Sequence, residues 1–162
     1  MTVVNFLTGE AFERGVLGIS HADVDVKKLP RYDKKSDFFE TIEMVKTIQD
    51  VFNWNPKRPK TEISKSLFQV TRLLLGKGLS EKLRIFVSVG TRLDFHFGTD
   101  CFFELNGSVV TVDLTISNKK NDIKANILIR PVDIYNRQFH VAKQVTYFLK
   151  RGLAISKPVC SQ

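Results

Sequence analysis

The chain has 162 residues, 43% apolar and 26% charged, a mix that fits one compact domain or one domain with a small extension. Nine Gly and five Pro without a repeated tract exclude collagen-like and low-complexity classes, and no apolar run approaches the roughly 18 residues of a membrane span. Two cysteines, Cys101 and Cys160, are too few for a metal cluster or a disulfide framework, and the N-terminus has no basic leader ahead of a long apolar stretch, so a reduced, cytoplasmic protein is expected. The net charge of +8 points to an anionic partner, nucleic acid first. It is unevenly spread: residues 1–60 carry 10 basic and 9 acidic side chains, residues 61–118 six and six, and residues 119–162 nine and two. A C-terminal anion-facing surface accounts for this pattern, as does an ordinary solvated basic helix.

Along the chain, the first 36 residues mix single aromatics with the breakers Gly9, Gly15 and Gly18 and read as loops with at most one short strand. From Asp37, Phe38, Ile42, Val45, Gln49 and Phe52 recur at helical spacing, with Ser36 or Asp37 as cap. This amphipathic helix stops at Asn53-Trp54-Asn55-Pro56, and Lys57-Arg58-Pro59-Lys60 follows as a Pro-punctuated basic linker. The linker divides the chain into an N-terminal extension, 1–60, and a core, 61–162. A second helix starts at Thr61 as N-cap with Glu62 in its first turn, buries Ile63, Leu67, Val70 and Leu74, and ends at Gly76 and Gly78. From Leu83 the period changes to two and residues 84–89 read as a strand, while 93–99 read as a polar loop.

Residues 100–105 and 108–116 then flank Asn106-Gly107, the strongest short hairpin signal, because both turn residues tolerate positive φ. Residues 124–130 form a further strand ending at Pro131. A last helix from about Arg137 to Arg151 turns Phe139, Ala142, Val145 and Leu149 inward and Lys143, Lys150 and Arg151 to solvent. The fold class is α+β, with a mixed, largely antiparallel central sheet flanked by helices and preceded by a helical arm.

Asp100 lies six residues before Asn106 and Asp113 six after Gly107, so a tight two-residue turn makes them cross-strand partners about 5 Å apart at Cβ. Two carboxylates so placed repel unless neutralised, and a hard divalent cation bound by oxygen ligands does this well. Asp113 also interrupts a run that otherwise reads as sheet interior, where an unpaired charge is costly; a wet sheet face for Asp113 or a strand-capping role for Asp100 is the structural alternative. Lys119, Lys120, Lys124, Arg130, Lys143, Lys150 and Arg151 are candidates for phosphate contacts, and Lys57, Arg58 and Lys60 beside Trp54 form a second, smaller patch. Trp54 itself serves either as a stacking surface for a base or as a core anchor. His96 lies near Asp100 in sequence, whereas His21 and His140 show no recognisable partner. The absence of a Gly-rich phosphate loop, GxSxG or a Cys/His nucleophile arrangement removes NTPase and acyl-transfer classes.

A helix with an early Glu, a strand, an Asp heading the next strand and a tight turn into a strand bearing Asp-x-polar resembles the PD-(D/E)XK nuclease superfamily, which includes Holliday-junction resolvases and restriction endonucleases. The residues that carry the resemblance are Glu62, Gly98-Thr99-Asp100-Cys101-Phe102-Phe103 and Val112-Asp113-Leu114-Thr115, within residues 61–118. It implies a restriction-endonuclease-like core, Mg²⁺ (or Mn²⁺) facing Glu62, Asp100 and Asp113, and a homodimer that cuts DNA. Thr115 stands where the family has its catalytic Lys, Thr99 replaces a Pro, and a strand follows the motif where a helix is common. Lys119 or Lys120, just past the same strand, could supply the missing ammonium. The expected function is a metal-dependent nuclease acting on DNA; the alternative is a non-catalytic nucleic-acid-binding or regulatory protein using the basic C-terminal surface.

Overall fold

The computed structural model describes residues 6, 8–30, 36–118 and 122–156, with side chains up to residue 152. Lys119, Lys120 and Cys160 lie outside the described residues. Four strands form one sheet in the order β1 (Arg84–Val87), β2 (Cys101–Leu105), β3 (Ser108–Leu114) and β4 (Ile127–Ile129). β1 with β2 and β2 with β3 are antiparallel, and β4 joins β3 in parallel. The chain is therefore α+β with a mixed sheet. β2 and β3 meet at a two-residue turn whose Asn106 and Gly107 take φ of 49° and 84°, with Leu105 opposite Ser108.

Helices cover both faces of the sheet. On one side Cys101, Phe103, Leu105, Val110, Val112 and Leu114 pack with apolar residues of α1 (Gly9–Leu17), α3 (Glu62–Leu75) and α6 (Gln138–Ser156). On the other, Phe86 and Phe102 pack with Ile42 and Val45 of α2 (Phe38–Thr47) and Leu93 of α4 (Arg92–Phe97). This alternation along β2 is the period-two pattern of a strand buried on both faces. The short α5 (Pro131–Asn136) follows β4; Pro131 opens it and the Asp133 carboxylate accepts the Arg130 N–H at 2.7 Å. No helix among the described residues is long and apolar enough to cross a membrane.

Two segments expected as loop are helical. α1 is capped by Thr8, whose hydroxyl accepts the Ala11 N–H, and it ends on Gly18 at φ 79°. Gly15 does not break it, because the Phe6 ring packs where a Cβ would stand. α4 uses the same devices, Thr91 as N-cap and Gly98 at φ 62° as terminator. In α6, Ala142, Val145 and Leu149 are buried as their spacing predicts, joined by Val141, but Phe139 is 59% exposed because it precedes the part of the helix that meets the core.

Residues 49–56 close the open edge of β1. The Gln49 amide donates to Val87 O and accepts the Val87 N–H, both at 2.9 Å, Trp54 Nε1 donates to Ile85 O at 2.9 Å, and Pro56 O accepts the Ile85 N–H at 3.0 Å. Trp54 is 5% exposed and acts as a core anchor. Phe12, Val16, Leu17, Phe52 and Trp54 share one core with the sheet, so residues on both sides of the 60/61 boundary are packed together.

Candidate functional site

Asp100 and Asp113 flank the end of the hairpin and are each 4% exposed. The register pairs Cys101 with Val112, and one further step would set Asp100 opposite Asp113. Instead the Asp100 N–H bonds Val112 O at 2.8 Å, so two consecutive residues face Val112 as in a β-bulge. The bulge turns the Asp100 carboxylate onto the Leu114 N–H, 2.7 Å from Oδ2. Thr99 O, which an unbroken ladder would direct at Leu114, accepts the Ser88 hydroxyl at 2.6 Å.

Two further acids join them. Asp94 is placed by α4: its backbone N–H bonds Thr91 O, and its carboxylate curls back onto the Gly90 N–H at 2.9 Å, beside the Asp100 carboxyl. Glu13, 7% exposed on α1, accepts the His21 N–H at 3.0 Å and lies 3.0 Å from His21 Nδ1. His21 thus has a partner that its sequence surroundings do not announce, and its Nε2 is 3.4 Å from Glu10.

The electrostatics follow from this crowding. Burial first, then the charge of Asp94, and further Asp113 and Glu13, hold Asp100 well above the ordinary carboxyl range against the Leu114 N–H, which favours the anion. Burial also raises Asp94, with Glu13 adding to it, while the Gly90 N–H, Asp100 and His21 act in the opposite direction. Desolvation opposes protonation of His21, yet the Glu13 hydrogen bond and the charges of Glu13, Asp94 and Glu10 together lift it above the usual imidazole value. Cys101 is buried, and desolvation with the charges of Asp100 and Asp113 pushes its thiol well up, which makes it a poor nucleophile.

Of the residues expected at the site, Glu62 is exposed in the first turn of α3 and is not among the acids acting on Asp100, whereas Glu13 is. Reading Gly15 as a breaker hides α1 and with it Glu13, and reading 93–99 as loop hides the fixed position of Asp94. Thr115 is half-buried, bonds Ile129 O through its N–H, and accepts the Ser117 N–H at its hydroxyl. Lys124, exposed, donates to His96 O at 3.1 Å, which brings it to the C-terminal end of α4. Arg130 donates to Ser117 O at 3.0 Å. Lys143, Lys150 and Arg151 lie on the exposed side of α6, and Lys57, Arg58 and Lys60 are exposed, with Lys60 donating to Phe52 O. His96 is exposed with its ring edge-on to Phe97, and His140 is exposed.

The donor set is carboxylate oxygen, the chemistry that suits Mg²⁺ or Mn²⁺. Among the described residues no three His, Cys, Asp or Glu side chains converge closely enough to hold a metal ion. A depression of about 420 Å³ lined by Gln69, Arg72, Leu73, Gly76, Lys77 and Ser80 lies at the end of α3 and shares no residue with the acids. The chain matches no protein-family model, no curated protein and no solved structure.

Proposed function

We propose that the protein is a divalent-metal-dependent nuclease that hydrolyses phosphodiester bonds in DNA, with Asp100 and Asp113 holding the cation. The observation that carries this reading is the gathering of four acids, Asp100, Asp113 and Glu13 buried and Asp94 half-buried, in which the other three act on Asp100. Burial and the neighbouring carboxylates raise Asp100 and Asp94, which costs stability once those two ionise. Acids assembled at that cost fit a cation-binding and catalytic role.

A bound Mg²⁺ supplies polarisation of the scissile phosphate and a water of lowered pKa. The chain's own residues prepare for it. The bulge at Asp100 and the Leu114 N–H fix one carboxylate, β3 fixes the other, the Gly90 N–H holds Asp94 beside Asp100, and the His21 contact orients Glu13. Lys124 and Arg130, near α4 and the end of β3, are positioned for phosphate, and Lys119 or Lys120 remains the candidate for the ammonium that Thr115 does not provide.

The test is cleavage of duplex, single-stranded and branched DNA with Mg²⁺ or Mn²⁺. Cleavage is expected, its loss in EDTA is expected, and Asp113→Asn is expected to abolish it while retaining DNA binding. Normal binding without metal-dependent cleavage on any substrate would instead establish the binding-only alternative.

A further inference from the structure

The short helix α4 presents two different surfaces. Its Asp94 turns into the acid cluster, while the next residue, Phe95, is 70% exposed. The Phe95 ring meets the edge of His21, with centroids 6.4 Å apart at 79°, and His21 is bonded to Glu13. One side chain therefore separates this ring from the acids. On the following residue, the His96 carbonyl holds the Lys124 ammonium at 3.1 Å. A second, separate set of rings runs from His96 to Phe97 at 4.7 Å, to Phe38 at 5.4 Å and to Phe39 at 5.5 Å, with Phe39 75% exposed and the Arg92 guanidinium 5.8 Å from the Phe97 ring.

A single exposed Phe on a surface needs no explanation. Two sets of rings, each ending in an exposed Phe, flanked by the Lys124 and Arg92 cations and on the Phe95 side bordering the acid group, have the composition of a single-strand nucleic-acid platform, where bases stack on rings and cations follow the backbone. A duplex hides the faces of its bases, so only an unpaired base could use such a ring. A protein partner covering Phe95 would also bury the Lys124 ammonium, a costly desolvation unless it brought a matching acid.

We infer that Phe95 is a stacking platform for an unpaired base of single-stranded or locally opened DNA, with Lys124 on an adjoining phosphate. This rests on the nuclease reading and adds to it a substrate class, DNA with an unpaired stretch next to the acids. The experiment is fluorescence anisotropy in EDTA, so that nothing is cut, with a labelled single strand and the same strand in duplex, for wild type, Phe95→Ala and Phe95→Trp.

Loss of one stacked base is worth roughly 5- to 150-fold in affinity. Phe95→Ala is expected to weaken the single strand by that factor, Phe95→Trp to restore it, and the duplex to stay unchanged. Unchanged single-strand affinity, or equal losses on both forms, overturns the inference. So does sedimentation showing a wild-type dimer that Phe95→Ala dissociates, which would make the ring a contact between copies. Metal-dependent cleavage with no effect of Phe95→Ala on binding would sink the platform and leave the nuclease. Phe95-dependent single-strand binding by a protein that never cuts would sink the nuclease and keep the platform.

Discussion

Asp100 takes part in three arrangements at once: it completes the hairpin ladder through the Leu114 N–H, lies beside Asp94, and feels the charges of Asp94 and Asp113. Its folded pKa lies above its unfolded value near 4. Between those two values the folded chain keeps a proton that the unfolded chain has lost, so stability falls as pH rises through that window, by up to about 1.4 kcal/mol per pH unit. Asp100→Asn keeps an acceptor for Leu114 and removes the charge. In EDTA the variant should show a flatter pH profile in urea denaturation and exceed wild type above the window; parallel profiles would contradict the repulsion. His21 behaves in the opposite sense. Its raised pKa means that its contribution is complete below the ordinary imidazole value and is lost as pH rises through the folded one. Glu13→Gln should lower the His21 pKa, a shift measurable by NMR titration of the ring. The hairpin that brings Asp100 and Asp113 to one end is legible in the sequence because a two-residue turn fixes register, whereas the bulge that takes Asp100 out of its expected pairing with Asp113 is not. Glu13 is not, because nothing local marks one acid in an N-terminal segment as the partner of residues some ninety positions on.

The hairpin is the element most plainly written in the chain. Gly107 has φ of 84° and open space where a Cβ would stand, so Gly107→Ala meets only backbone strain, about 1–2 kcal/mol, measurable as a shift of the urea midpoint at constant m. α1 and α4 are written as clearly by their caps, Thr8 with Gly18 and Thr91 with Gly98, but the aromatics and inner glycine between those caps blur the helical period. The closure of β1 was out of reach for a different reason. Gln49 serves as a substitute strand residue for Val87, and that contact spans 38 residues. Gln49→Ala leaves two backbone groups of a buried residue unpaired and should cost about 2–4 kcal/mol, against little for the exposed neighbour Asp50→Ala. Equal effects would show that the edge is held by Trp54 and Pro56 alone.

Over the whole molecule the charges separate by role. The acids that matter are buried at the end of the sheet, while Lys143 and Lys150 stand on the exposed side of α6, itself packed on α3 and the sheet. If four or five of the C-terminal cations touch phosphates, log affinity for DNA should fall against log salt with a slope of roughly −4, and Lys143→Ala with Lys150→Ala should flatten it by about 2 on any sequence. An unchanged slope would return that face to a solubilising role. The proposed nuclease function draws its acids from α1, α4 and the hairpin, with Glu13 taking the part that the family resemblance gives to Glu62. The most direct measurement is the Mg²⁺-dependent DNA cleavage rate of Glu13→Gln beside Glu62→Gln, both confirmed folded. Loss of cleavage in Glu13→Gln with wild-type rates in Glu62→Gln is the predicted result; full activity in Glu13→Gln, or loss in Glu62→Gln alone, would contradict it.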